Sequence, residues 1–175
     1  DIPIIGMEPA VKPALRQSKG KVAVLATEMT LKEEKFQKLI ESLEDGYRVE
    51  KIPAPEWVAC VENHMDDEPF VKRCVDDFLR EHFPEKKDIV LGCTHYIFLK
   101  RYIQDYFNHE IEIFDGNVGT ALQLKNTLSS RGMLNDSTNS ESFMYPDNVK
   151  IINTKSQAYV EKSVELMNYI RKEQS

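Results

Sequence analysis

Short apolar runs alternate along this chain with longer segments whose apolar residues recur at helical spacing. Lys21-Val-Ala-Val-Leu-Ala26 is an unbroken hydrophobic run of the kind expected for a strand buried on both faces. Tyr47 to Ile52, Ile89 to Leu91 and Ile111-Glu-Ile-Phe114 read as further strands, as does the short apolar stretch Pro3 to Met7. Between them lie candidate helices. Pro9 to Gln17 reads as a short helix with proline tolerated in its first turn. Thr30 and Glu33 form a capping box that opens a helix through about Leu43, with Phe36, Leu39, Ile40 and Leu43 as its apolar stripe. Asp45-Gly46 ends it. Asp66, Asp67 and Glu68 open another helix through His82, where the helix dipole favours acidic side chains. Its inner face is Phe70, Val71, Cys74, Val75, Phe78 and Leu79, so Cys74 is expected in the core. Pro53 to Asn63 is a loop or short helical stretch, and Ile97 to Phe107 and Asn117 to Leu128 are helical. Helices alternating with short strands predict an α/β fold: an open, mainly parallel sheet flanked by helices.

The texture changes beyond this region. Ser129 to Asn148 is rich in Ser, Asn, Asp, Gly and Pro and reads as a surface loop. Val149 to Ile152 then resembles one more strand and Ser156 to Arg171 one more amphipathic helix. The opening Asp1-Ile-Pro-Ile-Ile-Gly-Met7 enters a strand-like run almost at once, as expected of a piece of a longer protein.

Composition narrows the function classes. With 175 residues, 41% hydrophobic and 30% charged, the chain has enough material for one filled domain and a shorter appended piece. A net charge of −6 argues against nucleic acid or an anionic membrane as partner. Apolar runs are too short to cross a bilayer. Three cysteines without CxxC spacing fit neither a disulfide framework nor a zinc site, and point to the reducing cytoplasm. His64, His82 and His109 lack ligand spacing, so no metal or other cofactor is expected.

The segment Asp88-Ile-Val-Leu-Gly-Cys-Thr-His-Tyr96 carries the strongest chemical signal. It places Cys93, Thr94 and His95 just past a strand and ahead of a helical segment, where open α/β sheets bind ligands. A helix N-terminus there would favour the thiolate and lower the thiol pKa from its usual ~8.5. The bland alternative is a small buried hydrophobe, which is the usual fate of a lone cysteine. Trp57 reads as packing, and Glu62 taken alone reads as a solvated carboxylate.

Several segments, in order, make the chain resemble the glutamate racemases of the aspartate/glutamate racemase superfamily. Leu91-Gly-Cys-Thr-His-Tyr96 matches the L-G-C-T-H-Y signature, and Val24-Leu-Ala-Thr-Glu-Met-Thr30 is similar to the A-T-E-G-T loop. Gly6-Met-Glu-Pro-Ala-Val-Lys12, Pro55-Glu-Trp-Val-Ala-Cys-Val-Glu62 and Phe114-Asp-Gly-Asn117 resemble further family segments. The resemblance implies cofactor-independent interconversion of L- and D-glutamate by two thiols, supplying D-glutamate for peptidoglycan. On this reading Cys93 is one of the two catalytic thiols, His95 assists it, and Glu62 orients or charge-balances His95. Thr94 would bind the substrate's α-amino or carboxylate group, with Thr27 and Thr30 lining the same pocket. The family's other cysteine, in a C-N-T-[AS] motif, has no counterpart here, and Cys60 and Cys74 are not followed by Asn-Thr. Ile97 stands where the family usually has proline, and Met29 where it has glycine.

Residues 1–115 are therefore expected to form the racemase α/β domain with the second catalytic cysteine. Residues 116–175 would be a C-terminal segment that in the family packs on an N-terminal domain, here the missing partner. The chain alone is expected to be inactive, and a homodimer is a further possible assembly. Two other readings remain open: a cysteine-nucleophile, amidase-like enzyme acting through an acyl intermediate, and a non-catalytic amino-acid-binding module.

Overall fold

In the computed structural model, which describes residues 3–134, four parallel strands form one sheet in the order β2-β1-β3-β4. They are β1 (Val22–Ala26), β2 (Val49–Pro53), β3 (Asp88–Leu91) and β4 (Ile113–Asp115). β1 pairs with β2 from Val22 opposite Val49 and with β3 from Val22 opposite Asp88. The α/β expectation, an open parallel sheet between helices, is met.

The alternation of side chains along a strand divides the interior into two layers. Ala23, Leu25, Ile89 and Leu91 point to one face, where α4 (Pro55–His64), α5 (Glu68–His82) and α6 (Lys100–Tyr106) cover them. Val22, Val24, Ala26 and Val90 point to the other, under α1 (Val11–Gln17) and the pair α2 (Glu28–Lys32) and α3 (Glu34–Glu41). Every β1 residue is buried, which is why its sequence reads as a continuous hydrophobic run. Trp57 is fully buried and packs at 4.7 Å from Phe78 and edge-on at 5.4 Å from Tyr96, so its expected packing role holds. Cys74 is half-buried against the same cluster, at the margin of the expected core.

Four local expectations change. Thr30 does not cap the second helix: Thr27 does, its Oγ1 accepting the Thr30 N–H at 3.2 Å. Glu33 then adopts an extended conformation and splits the expected single helix into α2 and α3. Ile97 to Phe107 begins as a 3-10 turn, Tyr96–Leu99, before α6, whereas Pro53 to Asn63 takes the helical one of its two expected forms, as α4. Pro3 to Met7 is not a strand. Both sides of β1 are already occupied by β2 and β3, and the chain from Met7 to Pro9 passes instead over Gly116 and Gly92, beyond the carboxyl ends of β4 and β3.

Two glycines admit that crossing. A Cβ on Gly92 would stand 3.0 Å from Ala26 and 3.6 Å from Pro9, and one on Gly116 would stand 2.9 Å from the Glu8 carbonyl oxygen. Opposite β2, Arg48 donates to the carbonyls of Leu15, Ser18 and Gly20, tying down the residues that follow α1. The last helix among the described residues, α7 (Asn117–Ser130), buries none of its residues. The strand and helix expected at Val149 to Ile152 and Ser156 to Arg171 lie outside the described residues, as does most of the expected loop before them. Among the described residues no helix is long and apolar enough to cross a membrane.

Candidate active site

Chain direction reverses between β1 and β3: β2 follows β1 on one side, and the chain then returns to lay β3 on the other. Crevices at such points, beyond the strand carboxyl ends, are the usual ligand sites of open parallel sheets. Here the β1 loop supplies Thr27 and Thr30, and the β3 loop supplies Gly92, Cys93, Thr94 and His95. A cleft of about 190 Å³ opens at this point, walled by Met7, Glu8 and Pro9 on one side and by Thr30, Glu33, Lys35 and Phe36 on the other. Cys93 and Thr94 lie along it.

Behind the cleft the side chains form a relay. Cys93 Sγ lies 3.6 Å from His95 Nδ1, and His95 Nε2 lies 3.1 Å from Glu62 Oε1. Glu62 comes from α4, 33 residues away in sequence, and its carboxylate favours the tautomer with the proton on Nε2. The Nδ1 lone pair then faces the thiol and can take its proton. All three residues are half-buried, so little water competes for these contacts.

Cys93 does not have the depressed pKa expected from its sequence position. Burial raises it most, the Glu62 charge raises it further, and backbone N–H groups of His95 and Tyr96 only partly offset this. The segment after the thiol is a 3-10 turn rather than an α-helix, so no long helix dipole points at the sulfur. These surroundings favour the thiol over the thiolate, and a thiolate formed here is a stronger base than an ordinary cysteine provides.

Tyr96, which sequence reasoning passed over, fixes the geometry. It is fully buried, and its hydroxyl donates to the Ala54 carbonyl at 2.6 Å. Burial pushes this hydroxyl's pKa upward, so it stays a donor. Ala54 immediately precedes α4, and α4 carries Glu62. The bond therefore ties the cysteine loop to the start of the helix that orients its histidine.

The other expected site residues fall in two groups. Thr94 is exposed on the cleft, and Thr30 lines it. Thr27 is not among the lining residues and sits behind Thr30, their hydroxyls 3.0 Å apart. Glu62 and His95 also stand off the lining and reach the cleft through Cys93. Asp115 and Asn117 close its end, with Asp115 held by Lys100 at 3.2 Å. Among the described residues no cluster of His, Cys, Asp or Glu is arranged to hold a metal ion.

The chain resembles known proteins in sequence and in fold. The chain is 41% identical over 139 residues to a glutamate racemase of Bifidobacterium animalis, an alignment covering 77% of this chain and 54% of that protein. It is 36% identical over 147 residues to glutamate racemase 2 of Bacillus subtilis, covering 82% of this chain and 56% of that one. Among solved structures, a glutamate racemase isoform of Bacillus anthracis superposes with a TM-score of 0.67 at 30% identity, covering 78% of this chain and 53% of that chain. The Escherichia coli glutamate racemase in complex with L-glutamate and the activator UDP-MurNAc-Ala superposes with a TM-score of 0.65 at 27% identity, covering 74% of this chain and 50% of that one. No family model matches the chain. The four-stranded α/β domain thus corresponds to half of a racemase structure, and the chain is homologous to the glutamate racemases while spanning about half the length of the relatives it matches.

Proposed function

We propose that this chain supplies one of the two acid–base faces of a glutamate racemase, with Cys93 as its proton-transfer group. The relay from Cys93 through His95 to Glu62, standing behind a cleft at the sheet's switch point, is the observation that carries this reading. Inverting Cα requires removal of a weakly acidic proton from one face and delivery of a proton to the other. Cys93 enters as the protonated thiol and delivers its proton when the substrate arrives deprotonated from the far side. In the reverse direction His95 Nδ1 draws off the thiol proton, the Glu62 carboxylate stabilises the imidazolium, and the thiolate takes the Cα proton. Its raised pKa narrows the gap to that very weak acid. Thr94 and Thr30 offer hydroxyls to the substrate's polar groups from opposite walls.

On this reading residues 1–115 are the racemase domain with the second cysteine. Residues 116–175 belong against the complementary half, which supplies the first thiol in a Cys-Asn-Thr segment. The cellular setting would be the cytoplasm, and the product D-glutamate for peptidoglycan.

Incubation with L-glutamate in deuterated buffer, followed by chiral separation and mass spectrometry, tests the proposal. The chain alone is expected to give no inversion. Fused to a complementary racemase half bearing the Cys-Asn-Thr segment, it is expected to yield D-glutamate labelled at Cα. Inversion by the chain alone would refute the two-thiol half-site, and a thioester trapped on Cys93 would instead favour a nucleophilic, amidase-like reaction.

A further inference from the structure

We propose that Cys60 and Cys74 are a reversible thiol–disulfide pair, oxidised by a small neutral peroxide, that pins α4 to α5 so that the helix presenting Glu62 to His95 responds to oxidation. Both thiols are free. Cys60 stands on α4, 2% exposed in the layer that also holds Trp57 and Phe78, and Cys74 packs on that layer from α5. Their side chains meet: the Cys60 S–H donates a hydrogen bond to the Cys74 sulfur. The two residues share no sequence motif, and only the packing of α4 on α5 joins them. Glu62 follows Cys60 by two residues, about 200° around the helix, so the thiol faces α5 while the carboxylate faces His95.

The two sulfurs have unlike surroundings. Donation from Cys60 holds the Cys74 thiol below its ordinary pKa, against burial and the charges of Glu56 and Asp77. The same hydrogen bond, together with burial, keeps the proton on Cys60. Cys74 is only half-buried, so its thiolate is the one an oxidant can reach. The flanking carboxylates disfavour an anionic oxidant and admit a neutral peroxide. Attack by the Cys74 thiolate forms an S–O bond and breaks the O–O bond, leaving a sulfenic acid. The hydroxide released takes up the proton that Cys74 had lost. The Cys60 sulfur then attacks the sulfenic sulfur, and its own proton leaves with the displaced hydroxide as water. Two thiols and one hydrogen peroxide give one disulfide and two waters.

Trypsin separates the three thiols, with Cys60 in residues 52–72, Cys74 in 74–80 and Cys93 in 88–100. The full chain is treated with hydrogen peroxide, its remaining thiols are alkylated, and the peptides are read by mass spectrometry. The first two peptides are expected to appear joined, two hydrogens lighter than their sum, in the monomer fraction, and to separate again with dithiothreitol. Cys60→Ala is expected to leave Cys74 as a sulfenic acid trapped by dimedone, and Cys74→Ala to leave Cys60 reduced. In the linked protein, amide hydrogen exchange along Pro55–His64 is expected to slow severalfold. The proposal is overturned if no joined pair forms by the dose that oxidises the exposed Met29, or if the link forms only between chains. Unchanged exchange in the linked form overturns it too, as does oxidation of Cys60 in the Cys74→Ala variant, where the buried sulfur would have its own access.

Discussion

At the scale of single residues, the surroundings of Cys93 favour the thiol over the thiolate. Burial and the Glu62 charge hold its proton on, against two backbone N–H groups. Its alkylation rate should rise with pH to a midpoint above that of an ordinary cysteine. Glu62→Gln removes a negative charge that disfavours the thiolate, so this midpoint should move down, as a pH series of iodoacetamide rates would show. An unchanged midpoint would mean that the carboxylate does not act on the sulfur, and a higher one that its support of the His95 imidazolium outweighs its direct charge on the thiolate. Sequence singled out the cysteine, histidine and glutamate through the motifs around them, and the fold brings the three side chains together. It missed the sign of the pKa shift, because desolvation depends on what packs around the sulfur.

At the scale of elements, amphipathic periodicity was the reliable guide. β1 and α5 were legible because five consecutive buried residues and a regular apolar stripe leave few alternatives. The cap at Thr27 was harder to see, since Thr27 and Thr30 each precede a suitable third residue and only the break at Glu33 decides between them. Pro3 to Met7 shows the ambiguity of short apolar runs: Ile4 stands 92% exposed, and Met7 packs on Gly116 instead of joining the sheet. The relay depends on α4 and the cysteine loop staying in register through the Trp57 and Tyr96 packing. Trp57→Ala should cost about 3–5 kcal/mol of unfolding free energy in urea titrations, as large aromatic deletions in cores do. A loss below about 1 kcal/mol would show that this contact is not what holds the two elements together.

At the scale of the whole molecule, the described residues make a single α/β domain with the cleft at the carboxyl ends of its strands. Its sheet, two core layers and relay are in place, while α7 lies with no buried residue and leaves Val118, Leu122 and Leu124 exposed. The homologous enzymes are about twice as long as the aligned region. On the proposed reading the complementary half covers α7, so amide hydrogen exchange along Asn117–Ser130 should slow markedly once the two halves are joined. Equal exchange in both forms would place the complementary half elsewhere. Sequence pattern could not reveal this exposure, because an apolar residue on a helix reads the same whether its partner is in the chain or outside it.

The proton-transfer role of Cys93 is tested most directly by Cα exchange of glutamate in deuterated buffer, comparing the fused two-half protein with its Cys93→Ala variant. The account predicts deuterium entering with inversion in the former, and loss of inversion in the latter with the fold intact by circular dichroism. D-glutamate formed at an undiminished rate by the alanine variant would contradict it.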